Sequence, residues 1–281
     1  MNNDSQTIEE SINQYMINNH INVYAILLDL IKPTIAFKKS EKSKNISKFG
    51  GIPLFSDDLD MDRFNIKSLS HLCQISVDEI MPYNEFNYFF DGGMISFFIN
   101  LNLSFPIRRS DYKVFYHNCK KEYLTQRHEH FVNSPVLDEM FIDFYLHYNF
   151  PSYQNYKMLE LETRGINLDE EIDEIQDFID TNNNHFSNNI GSQLFGNPQA
   201  VQGTVSFHWA ASALNLSYPF TDQDLKKINE IEKEYILLLQ VDFSDINVTE
   251  NFGDGMLYFG IKKEDLMRKD FDNVELVYQS T

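Results

Sequence analysis

The chain has 281 residues, 42% of them hydrophobic, with 24 Phe and a net charge of -19 at pH 7. Such a length supports one composite domain or two intimate halves around a sizeable core. The best apolar run, residues 23 to 31, falls well short of the roughly 18 consecutive apolar residues of a spanning helix, so no membrane insertion is expected. The excess of acid is local: residues 1 to 140 carry 18 acids and 14 bases, and residues 141 to 281 carry 24 acids and 9 bases.

The opening "MNNDSQTIEES" is acidic and polar, unlike a signal peptide. With two cysteines, Cys73 and Cys119, it points to cytoplasmic residence in a reducing compartment. Residues 1 to 30 read as an N-terminal helical segment interrupted near "NNHIN", and Pro33 ends it. Residues 31 to 281 read as a single domain that begins as a strand, "TIAF", and runs into an exposed lysine-rich loop with six Lys from 32 to 48. "FGGIP" at 49 to 53 is a turn in which Gly50 and Gly51 are free to take positive φ before Pro53.

Further strands are expected at "LSHLCQIS", at the apolar "MISFFIN" and at the alternating "YKVFYH" of 112 to 117. "YKMLELE" at 156 to 162 also reads as a strand. Residues 160 to 180 then hold nine acids and one base. Within the segment 168 to 181, Leu168, Ile172, Ile175, Phe178 and Ile179 make one helical apolar stripe. That leaves Asp169, Glu170, Glu171, Asp173, Glu174, Asp177 and Asp180 on the displayed face, with Asp169 at the N-cap or in the first turn. "LFGNPQAVQG" repeats the Gly-x-Pro logic with Gly196, Pro198 and a trailing Gln202. Helix within 206 to 235, strands at "YILLLQVDF" and "GMLYFGI", a short helix at "KKEDLMRKDF" and a last strand at "NVELVYQS" complete the chain.

Two stretches echo each other. Each runs from a Gly-x-Pro turn to an apolar strand ending in a glutamine, Gln74 or Gln240, then an acidic connection, a glycine turn, Gly92 and Gly93 or Gly253 and Gly255, and a second apolar strand. The order predicts an α+β fold with two internally similar, sheet-containing halves, about 48 to 117 and 194 to 278, packed with helices. Two copies are too few for a solenoid.

Candidate chemistry is sparse. His128, Glu129 and His130 lack a third ligand at zinc spacing, and His117 with Cys119, like His71 with Cys73, lacks an orienting partner. Asp242, Asp245 and Asp254 do not form a calcium-loop pattern. Asp91 and Asp254, beside corresponding glycines, are either a carboxylate pair or turn residues, and a glutamine at the end of an otherwise apolar strand closes a backbone hydrogen-bond network. No catalytic residue, metal site or cofactor is assigned.

The C-terminal stretch resembles the closing signature of the YwqG-like family of bacterial proteins. The residues that carry the likeness are Leu238, Leu239, Gln240, Val241 and Asp242, then Phe252, Gly253, Asp254 and Gly255, then Tyr258, Phe259, Asp265, Leu266, Asp270, Phe271 and Gln279. "KFGGIP", "LCQI" and "LFGNPQAVQG" are similar to its other elements, while Phe252 stands where the family usually has Trp, and a Trp-Pro after the first turn is missing. The resemblance implies an α+β fold with similar halves. It also implies genomic company with toxin genes, hence suspected immunity proteins.

The favoured expectation is therefore a non-enzymatic immunity or antitoxin-type protein that binds a basic cognate toxin through its acidic surface. Such a surface repels nucleic acid and anionic membrane. The alternatives are a small-molecule-binding or enzymatic domain, with a site between the halves near Gln74, Gln240, Asp91 and Asp254, and a generic scaffold.

Overall fold

The computed structural model describes residues 7–40, 46–57, 59–60, 64, 66, 68–83, 85, 88, 92–103, 105–126, 135–183, 189–246 and 253–280. Two helices open the chain, α1 (Ile8–Asn19) and α2 (Tyr24–Leu30). Thr7 starts α1 with a capping box in which its hydroxyl accepts the Glu10 N–H and the Glu10 carboxylate accepts the Thr7 N–H. The first half then follows as β1 (Lys32–Lys39), β2 (Lys48–Phe49), β3 (Leu54–Ser56), β4 (Ser70–Ser76), α3 (Val77–Ile80), β5 (Met94–Ile99), β6 (Tyr112–His117) and β7 (Leu124–Gln126). The second consists of β8 (Met140–Asn149), α4 (Tyr156–Thr163), α5 (Asp169–Asn182), β9 (Asn189–Leu194), α6 (Val205–Ala213), α7 (Asp222–Ile231), β10 (Tyr235–Asp242), α8 (Phe243–Ile246), β11 (Gly255–Lys262), α9 (Lys263–Met267) and β12 (Glu275–Ser280).

Ten strands form one antiparallel sheet in the order β12-β11-β10-β9-β1-β8-β2-β4-β5-β6, and β3 and β7 form a separate pair. The centre is crossed over: β1, from the first half, pairs with β8 and β9, while β8, from the second, pairs with β1 and β2. The sheet curls until its two edges nearly meet. Tyr112 on β6 donates its hydroxyl to the Val274 carbonyl at 2.9 Å, and Arg109 binds the Val274 carbonyl and the Glu275 carboxylate.

Inside the curl, both halves share one core. Phe97 of β5 meets Phe259 of β11 edge-on, with centroids 5.1 Å apart, and Ile35, Phe37, Leu194, Leu238 and Leu239 are fully buried in the same cluster. Each such side chain contributes about 1.5–3 kcal/mol relative to exposure. A second cluster packs α1, α2 and α5 against β8, with Tyr15 and Phe178 stacked at 4.2 Å.

The expected strand at 156 to 162 is a helix. Asn155 accepts the Lys157 N–H at 2.9 Å and so caps the first turn of α4, a side-chain bond that outweighs the short apolar alternation of Tyr156 and Met158. The chain therefore holds a mixed α+β fold.

Candidate functional site

Helix α5 is held by one side. Leu168, Ile175 and Ile179 are buried and Ile172 and Phe178 half-buried against α1, α2 and β8. Asp169 is the first helical residue rather than the cap, and its N–H is taken by Asn167 Oδ1 at 2.8 Å. Asp169, Glu170 and Glu171 fill the first turn, where they meet the positive end of the helix dipole. Asp169, Glu170, Asp173, Glu174 and Asp177 are exposed and Glu171 is half-buried.

Among the described residues, no Lys or Arg lies within ion-pair distance of any of these six; Glu174 reaches only His20, at 3.3 Å. Asp180 departs from the expectation of a displayed carboxylate. It is half-buried, 3.2 Å from His147 Nε2, and accepts a bond from Gln176 at 2.9 Å, so it fastens α5 to β8 instead of facing outward.

The echo residues are placed by backbone bonding. Gly50 and Gly51 have φ of 58° and 64°, and Phe195 and Gly196 have φ of 58° and 71°, so both turns contain two consecutive left-handed residues. After each turn's proline, Pro53 or Pro198, the next N–H donates to a strand glutamine: Leu54 to Gln74 Oε1 and Gln199 to Gln240 Oε1, both at 2.9 Å. Lys48 lies opposite Gln74 and Gln193 opposite Gln240 in the sheet. Ser47 and Ser192 then repeat one arrangement. Their hydroxyls accept the N–H groups of Ser76 and Asp242, and their own N–H groups go to Glu79 and Asp245, each at 3.0 Å.

Both strand pairs shift register at the same distance before the glutamine, between His71 and Cys73 and between Leu237 and Leu239. Gly93 packs against the Tyr116 ring and Gly255 against the Tyr278 ring, where an added Cβ would come within 2.7 Å of each. Gln74, Gln240, the Gly-x-Pro turns, Gly93 and Gly255 of this set were visible in the sequence. Ser47 with Glu79 and Ser192 with Asp245 were not, because their relation depends on strand register.

The remaining candidates are occupied or lie apart. The Gln240 amide also donates to the Gly191 carbonyl, and the Gln74 amide to the Leu54 carbonyl and Ser96 Oγ. Asp242 accepts from Ser244, and Gln202 donates its N–H to Gln279, which also accepts from Val201. Gly253 and Asp254 are exposed and Gly255 is buried.

His71 Nδ1 sits 2.8 Å from the Gly50 carbonyl, and burial lowers the ring's pKa to about 4. Burial likewise raises the thiol of Cys73 well above its ordinary range and leaves it protonated. Neither cysteine is in a disulfide. Asp91, His128, Glu129, His130 and Phe252 lie outside the described residues, among which no group of three or more His, Cys, Asp or Glu could hold a metal ion and no helix is long and apolar enough to cross a membrane.

A curled antiparallel sheet flanked by helices, with repeated turn-to-glutamine contacts and one carboxylate-covered helix, defines a mixed α+β protein whose polar motif residues mostly serve its own backbone. The family model described as "Domain of unknown function (DUF1963)" matches residues 47–280, and the chain belongs to that family. No curated protein matches it. The match starts at the threshold of β2 and leaves out β1, although β1 lies in the middle of the sheet.

Proposed function

We propose that this chain is a non-enzymatic binding protein of the immunity or antitoxin type, acting in the cytoplasm, which holds a basic cognate toxin against the outer face of α5. The observation that supports this most directly is the display of Asp169, Glu170, Asp173, Glu174 and Asp177 on a helix docked by its opposite side, with no Lys or Arg of the described chain within ion-pair reach. A carboxylate array that is not neutralised internally attracts a positively charged surface and speeds its approach. The partner class rests on the YwqG-like resemblance, which we take as the finer placement within the family. We also infer that the two halves arose by duplication; the shared turn, serine, glutamine and acid contacts at matching positions support that origin.

Co-expression with the product of the neighbouring gene tests the function. Protection from toxicity is expected, together with loss of protection when the five exposed carboxylates become Asn and Gln and a complex that weakens steeply with salt. Protection that survives neutralisation, or a complex indifferent to salt, removes the assignment of α5 as the docking face.

A further inference from the structure

We propose that the cavity where the start of β1, the turn after β9 and the first turns of α4 and α6 meet binds a small phosphate monoester carrying a planar ring. Its volume is about 280 Å³, close to the lower end for small-ligand sites. Lys32, Lys157 and Lys233 lie in its wall, and none of the described lining residues is a carboxylate. In a chain of net charge -19, this is a local reversal of sign.

The three lysines are unequally satisfied. Lys157 is 2.6 Å from Asp29 and Lys233 is 3.5 Å from Glu160, both partners being largely exposed. Lys32 is half-buried and has no carboxylate within ion-pair distance among the described residues. Burial, then the neighbouring charge of Lys157, pulls its ammonium below the usual range, and an arriving anion relieves both.

Two further features point into the same space. Ser152, in the cavity wall, has a buried hydroxyl with no hydrogen-bond partner, whereas buried hydroxyls ordinarily find one. Helix α6 begins without a side-chain cap, because the Thr204 hydroxyl donates to the Gln154 carbonyl instead, which leaves its first N–H groups to favour negative charge. Tyr156 is half-buried, and the almost wholly buried Phe195, Trp209 and Tyr235 complete an aromatic lining behind it, which suits a planar group beside the anion. The buried Glu232 lies behind Ser206, whose hydroxyl is 3.1 Å away. Burial raises the pKa of Glu232.

Trp209 is the one tryptophan of the chain and lies in the cavity wall, so intrinsic fluorescence reports directly on this site. Titration with adenosine monophosphate, inorganic phosphate and adenosine, followed by fluorescence and by calorimetry, should show the monophosphate binding most tightly and adenosine most weakly. Lys32→Gln should weaken the monophosphate by about tenfold or more, as expected for loss of a charge-assisted contact, with an unchanged melting midpoint. Lys233→Gln serves as a second variant at a more exposed position.

No saturable response to the monophosphate in either measurement, adenosine binding equally well, or undiminished affinity in both variants would overturn the site. Inorganic phosphate binding as tightly as the monophosphate would overturn the planar group. The inference does not depend on the docking reading: neutralising the α5 carboxylates should leave nucleotide affinity unchanged.

Discussion

Gln74 and Gln240, from strands on opposite sides of the sheet centre, make equivalent contacts, since each amide oxygen accepts, at 2.9 Å, the N–H of the residue that follows a Gly-x-Pro turn. Both glutamines are almost wholly buried, so no water replaces the bond if the amide is lost. Gln240→Met should leave the Gln199 N–H and the Gly191 carbonyl unpaired and destabilise the fold by about 1–3 kcal/mol per stranded group. Gln74→Met should do the same through both main-chain groups of Leu54. Urea denaturation with an unchanged m-value would measure the loss, and a neutral substitution at either site would refute the role.

Glycine substitutions separate conformational strain from crowding. Gly165 and Gly196 both have positive φ, 74° and 71°, but an added Cβ meets nothing within 4 Å at Gly165 and lies 2.6 Å from Thr34 Cβ at Gly196. Gly165→Ala should therefore cost only the left-handed penalty, about 1–2 kcal/mol. Gly196→Ala should cost clearly more, since Thr34 is buried and its hydroxyl is held by the Leu194 and Phe195 carbonyls. Equal melting shifts for the two variants would count against the crowding.

His71 should make the fold acid-sensitive. Its Nδ1 meets the Gly50 carbonyl, its Nε2 is buried without a hydrogen-bond partner, and its pKa falls from 6.5 to about 4 on burial. The unfolded chain therefore binds this proton more readily. The stabilising contribution is whole above about pH 6.5 and is lost as pH falls toward 4, amounting to about 3 kcal/mol across that window. Asp245, Glu232 and Glu275, raised by burial, act in the opposite sense, so the measurement is a difference. The parent should lose more stability between neutral and acid pH than His71→Leu, as read by denaturant midpoints, and parallel curves would exclude the effect.

A chain cut to residues 47–281 tests whether the family match is a folding unit. It lacks β1, whose residues from Lys32 to Lys39 pair along β8 and whose Ile35 and Ala36 pair with Leu194 and Gln193. No cooperative unfolding transition is expected from it. Removal of residues 1–29 alone strips α1 and most of α2 from the second cluster, exposing Ile175 and Ile179, but spares the sheet. That shorter deletion should give a less stable chain that still unfolds cooperatively.

Much of this architecture was legible in the sequence where one face or both faces of a segment are apolar. β4, β5, β6, β10, β11 and β12 all stand where apolar runs or alternation place them, and the stripe of α5 faces the core. β8, the longest strand, has no clean period, because Asp143, His147 and Asn149 interrupt its aromatic residues. His147 is buried because Asp180 approaches it, and Asn149 is buried because it bonds Asn197, partners that no local pattern reveals. The cationic cavity was hidden for the same reason: Lys32, Lys157 and Lys233 are far apart in sequence and meet only through the fold.

The pairing of β1 with β8 and β9 at the sheet centre also sets a schedule for synthesis. β2 gains its neighbour on the central side only when residues 140 and 141 are available, and β1 gains its two only with β8 and then residues 189 to 194. A ribosome that has released the first half alone presents a nascent sheet with unpaired hydrogen-bonding groups beside the buried Ile35, Phe37 and Phe49. The emerging chain must therefore be shielded, or outpace self-association, until most of it has been made.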